Sequence, residues 1–577
     1  MGTGAIPSIG ANAGADPIAT ASLKSTPASV GYDTDIAGIA SIADAPDSPD
    51  EIQKATNANA TPAGRTDARS KARRDSLRRG VTFIAIVVVL SLVAAFGWRW
   101  WTGREQSGAG ATLGGGSIAV GIIGDVQSID LLASTDSQIE QALLGNVAET
   151  LTTLDGNNQA APGLATSWET STDGLTTTLH LRQGVTFSNG NALDATAVMR
   201  WIQTIVQTKP ANVHAFDNLS AVNSPDANTV TLTFSQPNPD LAWQLAGKAG
   251  AIMDVQSANT TDAANGAIGS GPFTVAGFEA GKSVTLKRND AYWGTPAQLA
   301  SVTLRYYASE DTLVTALKYS EVEAAVGLTK ASGDALVTAG GFEAKQGTST
   351  GSMVLAFNGG TLASLTSDRV MRQSIRHALD HDAIIASRGG GDTKLAGPIT
   401  SLDPGYEDLT GAIPAGDMNQ VAFIGGTTYN FRLIYPQRYG QAIGDLIAAQ
   451  LAASNIHVTP TMVDDATWQQ QVIEKKDFDM TLMDLDDGHD LDLFADPSQV
   501  WGFDNPTVEQ LVAQADVAKS MDEYADLSKQ AAAIVNEESP VDWLLEYHPT
   551  TVWKTGVSGM PTDLTGTRLA LAGVKAH

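Results

Sequence analysis

AIGSGPFTVAGFEAGKSVTLKRNDAYWG, residues Ala267 to Gly294, is the stretch whose reading decides the fold. It opens on a tight glycine turn, Gly269, Gly271 and Pro272, and runs into an apolar strand start at Phe273-Thr274-Val275. Gly281-Lys282 then marks a hairpin turn before the alternating Val284-Thr285-Leu286-Lys287, and Tyr292-Trp293-Gly294 is an aromatic stop. By pattern alone the stretch is a surface hairpin.

The chain around it has 577 residues, too many for one compact domain, so two or three globular units are expected. Its hydrophobic content of 43% and charged content of 17% are ordinary for globular protein. The formal net charge of −27 argues against a nucleic-acid partner, because phosphate binding needs a basic surface. It also repels an anionic membrane surface. There is no cysteine, which excludes disulfides, thiolate nucleophiles, cysteine-ligated zinc and iron–sulfur clusters.

Residues 1–80 are rich in Ala, Ser, Thr, Asp, Gly and Pro, cannot bury enough apolar surface to offset their ordering entropy, and read as a disordered cytoplasmic tail. The end of the tail turns basic, from Arg65 to Arg79. Residues 81–101, VTFIAIVVVLSLVAAFGWRWW, then carry an uncharged run that meets the roughly 18-residue threshold for a membrane helix. The preceding arginines put the N-terminus in the cytoplasm, and Trp98, Trp100 and Trp101 suit an interfacial belt. The long basic leader and the bulky residues after the apolar run favour an uncleaved signal-anchor over a cleaved signal peptide. Residues 102–116 form a flexible glycine-rich linker.

From Ser117 strands and helices alternate. SIAVGII is a buried strand, Asp136 to Leu151 has helical spacing, and Asp173-Gly174 turns a hairpin. Asp194 caps a helix lined by Val198, Ile202 and Ile205. Strand density is high between residues 160 and 260. Further on, Met353–Asn358 and Asn430–Pro436 are strands, Gly440–Ser454 and Ala466–Lys476 are helices, and FDMTLMDLDD is a strand ending in acids. Two more helices precede a return to strand at Val541. Alternation of this kind predicts α/β lobes with mixed sheets.

The wording of the opening stretch, G-[ST]-G-P-[FY], a short hairpin, then R-N-x-x-Y-W-G, resembles the extracytoplasmic solute-binding proteins of family 5, which serve peptide and nickel ABC importers. Other segments carry the resemblance along the chain. Ser128-Ile129-Asp130 is similar to S-L-D-P, Asn146 to Leu151 to N-v-y-E-x-L, and Trp168 to Gly190 to the family's W-x-x-s-x-D-G … L-R-x-G-V-x-F-x-D-G. Ala356-Phe357-Asn358, Arg372-Gln373 and Ala378-Leu379-Asp380 match its later blocks.

The resemblance implies a two-lobed α/β fold of the periplasmic-binding-protein-like type II class, with an inserted sheet-rich subdomain, here preceded by a single transmembrane helix. Lobe 1 is then residues 117–154, 263–352 and 541–577, the inserted subdomain 155–262, and lobe 2 353–540. Crossovers fall near Ser352–Asn358 and Val541–Tyr547. It also implies a monomeric binding protein and not an enzyme, with no cofactor, that closes over a peptide or another solute and presents it to ABC permease subunits. The binding domain lies outside the cytoplasm. Many Gram-positive members are held by a lipidated N-terminal cysteine; this chain has none, and residues 81–101 supply the tether.

By the same resemblance Asp487 takes the place of the ligand-binding aspartate, and Leu485 that of the tryptophan beside it, with Asp486 between them. Pro436-Gln437-Arg438-Tyr439 is similar to P-x-Q-R-P-Y, which makes Arg438 the candidate for a ligand carboxylate and Tyr439 its neighbour. Ser134 and Thr135 are candidate contacts from lobe 1. A solvated surface role stands beside each of these. A different solute (an oligosaccharide or a metal chelate) and a sensory or scaffold role remain open.

Rival chemistry is weaker. Gly347-Thr348-Ser349-Thr350-Gly351 matches the hydrolase G-x-S-x-G, but a strand follows where a helix is needed. His377 and His381 stand four apart without the glutamate of a zinc motif and are expected on a helix surface. Asp484, Asp486, Asp487, Asp490 and Asp492 fail the spacing of a calcium loop, and an acidic edge that is ligand-facing or solvated is preferred.

Overall fold

Strand Ser117–Ile123 sits inside a seven-stranded sheet. Across the sheet the order is Phe342–Gln346, Thr550–Lys554, Ala324–Leu328, Ser117–Ile123, Ser301–Tyr307, Ser283–Arg288 and Phe273–Glu279. The computed structural model describes residues 115–134, 137–210, 213–255, 267–360, 364–421, 427–485 and 489–577. The expected tail, the membrane segment 81–101 and linker residues 102–114 lie outside the described residues. Among the described residues no helix is long and apolar enough to cross a membrane.

Ile118, Val120 and Ile122 alternate into the core, the period a pleated strand imposes. Ser117–Ile123 runs parallel to both of its neighbours, and helix Glu310–Lys318 supplies the crossover that parallel strands require. The quoted stretch forms two strands at one end of this sheet, joined through Gly281 at φ +70°. Its two leading glycines are needed for close approach. A Cβ at Gly269 would run into the Val147 carbonyl oxygen, and one at Gly271 into that of Asn146.

Those close contacts bring Ser270, Tyr292 and Trp293 onto one carboxylate. Glu149 accepts from Ser270 Oγ at 2.7 Å, Tyr292 Oη at 2.8 Å and Trp293 Nε1 at 2.7 Å. Its neighbour Asn146 donates to the Leu569 carbonyl at 2.7 Å and accepts from Leu571 N at 3.0 Å, tying in the C-terminal segment.

A four-stranded antiparallel sheet, Ala165–Thr170, Thr176–Leu181, Thr229–Phe234 and Leu219–Asp226, packs with helix Ala195–Thr208. Asp194 caps that helix from its side chain at 2.9 Å, and Val198, Trp201, Ile202 and Ile205 form its buried face. The second lobe is built on a five-stranded sheet in the order Ile456–Val463, Tyr429–Pro436, Met480–Leu485, Ser352–Phe357 and Val541–Glu546. Every residue of the last two strands is buried.

The chain passes between the two large sheets twice, from Gln346 to Ser352 and from Glu546 to Thr550. The two passages lie side by side. Tyr547 N donates to Gly351 O at 2.9 Å, Gly347 N to Pro549 O at 3.0 Å, and Gln346 Nε2 to His548 O at 2.8 Å.

Three expectations are corrected. The helix expected over Asp136–Leu151 ends at Leu143, because Gly145 takes φ +74° and the Asn146 side chain bonds back to Ala142 O. The helix expected over Ala466–Lys476 is an α-turn, Asp465–Trp468, followed by a π-helical stretch, Gln469–Glu474. His377 and His381 are both buried, not on the surface. His381 Nε2 lies 3.1 Å from Asp542 Oδ2, where Arg376 Nε also reaches Oδ1 at 3.2 Å, and His377 Nδ1 meets Pro414 O at 2.9 Å.

Candidate functional site

A cleft of about 940 Å³ lies between the two large sheets, beside the paired passages. The first lobe contributes the end of strand Ser117–Ile123 with the loop after it, Glu310, and the Val326–Thr329 turn. From the second lobe come Arg388, Arg438, Tyr439, Asp465, Trp468, Met483 and Asp484. Ser349, Gly351, Tyr547 and Pro549 of the passages complete it.

Its polar centre is Asp484, at the end of strand Met480–Leu485. Tyr547 Oη donates to Asp484 Oδ1 at 2.5 Å, and Arg438 Nε stands 3.6 Å from Oδ2. Arg438 Nη1 also donates to Asp465, and its guanidinium lies 5.6 Å from the Trp468 ring and 5.1 Å from that of Tyr439. Burial works against this charge, but Tyr439, Asp484 and Asp465 together outweigh it and hold the Arg438 pKa above the usual value. Burial, then the Asp484 charge, pushes both the Tyr439 and Tyr547 phenols well above theirs. All three groups therefore keep their protons at any physiological pH.

Arg388 lies 5.1 Å from the Tyr547 ring and donates from Nε to Asp392 at 2.6 Å. Asp392 in turn accepts from His548 N at 3.0 Å, which fixes this arginine against the second passage. On the opposite wall Glu310 Oε1 accepts from Thr329 N at 2.8 Å and Thr329 Oγ1 at 2.7 Å.

Of the ligand-binding candidates named from the sequence, Arg438, Tyr439 and Ser134 line this cleft. Leu485 does not: it is 5% exposed and packs in the core with Phe494 and Trp501, since strand alternation turns it away from its neighbour Asp484. Asp486, Asp487 and Thr135 lie outside the described residues. Sequence reasoning missed Arg388, Glu310, Asp465, Trp468 and Tyr547. Asp484 was visible in the acidic run, and only its strand register distinguishes it.

A second contact joins the inserted sheet's neighbourhood to the second lobe. The His489 ring stacks on Trp243 with centroids 3.9 Å apart and planes at 9°. Its Nδ1 lies 3.6 Å from Asp240, and its Nε2 3.8 Å from Asp403, whose Oδ1 accepts from Asn158 Nδ2 at 2.7 Å. Asp492, Asp516 and Tyr524 complete the electrostatic surroundings.

A family model described as bacterial extracellular solute-binding proteins, family 5 (middle), matches residues 159–504. Protein XP55 of Streptomyces lividans is 28% identical over 320 residues, covering 52% of this chain and 55% of that protein. The chain spans about half the length, or less, of the curated relatives it matches. Among solved structures, the Helicobacter pylori ABC transporter-associated periplasmic binding protein DppA in complex with peptide STSA superposes with a TM-score of 0.67 at 19% identity, over 80% of this chain and 98% of that one. Staphylococcus aureus NikA in complex with Ni(L-His)2 gives 0.68 at 15% identity, over 80% and 100%. At these identities the likeness is one of fold, the two-lobed α/β architecture of periplasmic binding proteins.

Proposed function

Because the chain belongs to the bacterial extracellular solute-binding proteins of family 5, we propose that it captures a peptide between its two lobes and delivers it to the permease of an ABC importer. One observation carries the reading: the cleft is walled by both lobes and opens beside two adjacent chain passages, where hinge rotation would close it. Arg438, Tyr439, Asp484 and Ser134 are the proposed ligand-facing residues, and Asp486, Asp487 and Thr135 are further candidates. Residues 81–101 would tether the protein, N-terminus inside and lobes outside. The peptide held by the Helicobacter pylori neighbour supports this choice of solute.

A metal chelate is the second reading, favoured by the likeness to nickel-binding NikA. Thermal-shift screening of the full chain against peptides, oligosaccharides and nickel chelates separates the two. Stabilisation by peptides is expected. A shift from a chelate or sugar, with none from any peptide, would sink the proposal.

A further inference from the structure

Resting on that reading, we infer that the cleft selects ligands of net positive charge, and that its two arginines do not grip a ligand carboxylate. Among the described residues, the charged groups lining the cleft are the carboxylates of Asp125, Glu310, Asp465 and Asp484 and the guanidinium groups of Arg388 and Arg438. No lysine or histidine lines it among those residues.

Both guanidinium groups are matched from within the protein. Arg388 is paired with Asp392 just behind the wall, at 2.6 Å. Arg438 is held between Asp465 and Asp484. Each also lies over an aromatic ring, Arg388 over Tyr547 and Arg438 over Trp468. A ligand carboxylate arriving at either arginine would have to compete with a carboxylate already in place.

The remaining charge is negative. Asp125 takes a hydrogen bond from Gln127 Nε2 at 2.7 Å, and Glu310 takes two from Thr329, all from neutral donors. Neither has a cation within ion-pair distance among the described residues, and Arg388, whose charge reaches Glu310, is already paired with Asp392. Closure over a ligand removes water from these two carboxylates, and a buried charge is tolerated only when a partner of opposite sign meets it. An ammonium or guanidinium group on the ligand supplies that partner. A ligand carboxylate adds a like charge to the same low-dielectric space.

The test uses the full chain and four tripeptides of equal length: trialanine, trialanine amide, a dilysyl and a diglutamyl tripeptide, with affinities from isothermal titration. Trialanine amide is expected to bind at least as tightly as trialanine, the dilysyl peptide about tenfold or more tightly again, and the diglutamyl peptide weakest. Raised salt should narrow the spread. Glu310→Gln and Asp125→Asn should each weaken the dilysyl peptide more than trialanine, and so reduce the dilysyl preference. Trialanine or the diglutamyl peptide binding tighter than the amide and dilysyl peptides overturns the charge inference and leaves peptide capture standing. Failure of all four, with a nickel chelate bound, overturns peptide capture and this inference with it.

Discussion

Glu149 shows how one side chain can hold a family's wording together. It is a half-buried carboxylate whose hydrogen-bond partners are a serine, a tyrosine and a tryptophan, contributed by both ends of the quoted stretch. Burial pushes its pKa up in spite of those donors. Glu149→Ala leaves donors without an acceptor, which costs about 1–3 kcal/mol for each buried group stranded. Ser270 is buried and Tyr292 and Trp293 are half-buried, so a loss of about 1–3 kcal/mol in denaturant unfolding is expected. A loss under about 1 kcal/mol would mean that water replaces the carboxylate. Asp542 is the counterpart in the second lobe. Burial alone would raise its pKa, but His381 and Arg376 against it bring it below the usual range. Asp542→Ala strands a buried guanidinium, and a loss of about 3–5 kcal/mol should appear in the same measurement.

At the scale of elements, Gly271→Ala tests the turn before the hairpin. The added methyl meets the Asn146 backbone carbonyl rather than a movable side chain, so the melting temperature should fall by several degrees, about what 1–3 kcal/mol produces. An unchanged melting temperature would mean that the turn relaxes freely. The hairpin itself was legible because its signals are local: glycines at the turns and alternation in the strands. The capped helix Ala195–Thr208 and strands Ser352–Phe357 and Tyr429–Pro436 were legible for the same reason. The π-helical stretch Gln469–Glu474 was not, because nothing in QQQVIE distinguishes a widened turn from an α-helical one. It follows Trp468 at the cleft wall, where the site was least readable. Asp484, Asp465 and Arg438 are adjacent only through the pairing of strands far apart in sequence, and no spacing rule reports that. His377 and His381 misled in the other direction, for their partners Pro414 and Asp542 lie remote in the chain.

For the whole molecule, the contact at His489 predicts a pH dependence of closure. Burial disfavours the imidazolium, but Asp240, Asp403 and Asp492 outweigh it and raise the His489 pKa above the usual value. Burial, with Asp492 and Asp240, pushes Asp516 up to about 7, and burial with Asp240 raises Asp492. Each group thus binds its proton more tightly when Asp240 is against the second lobe than when it has moved away. By linkage the contact strengthens as pH falls, and that gain is lost as pH rises through the raised values, near 7 for Asp516. Small-angle scattering of the ligand-free protein should show a more compact particle at pH 5.5 than at pH 8, with the difference reduced in His489→Gln. An opposite trend would mean that the lobes separate elsewhere. The paired passages between the sheets have a further consequence for covalent integrity. Because Gly347 and Gly351 are hydrogen-bonded to Pro549 and Tyr547, a single proteolytic nick between them leaves the other strand of the link whole. The nicked protein should run as two bands on a denaturing gel, yet elute as one particle and still bind its ligand. The link behaves as a redundant suture, and one cut stitch does not open the seam.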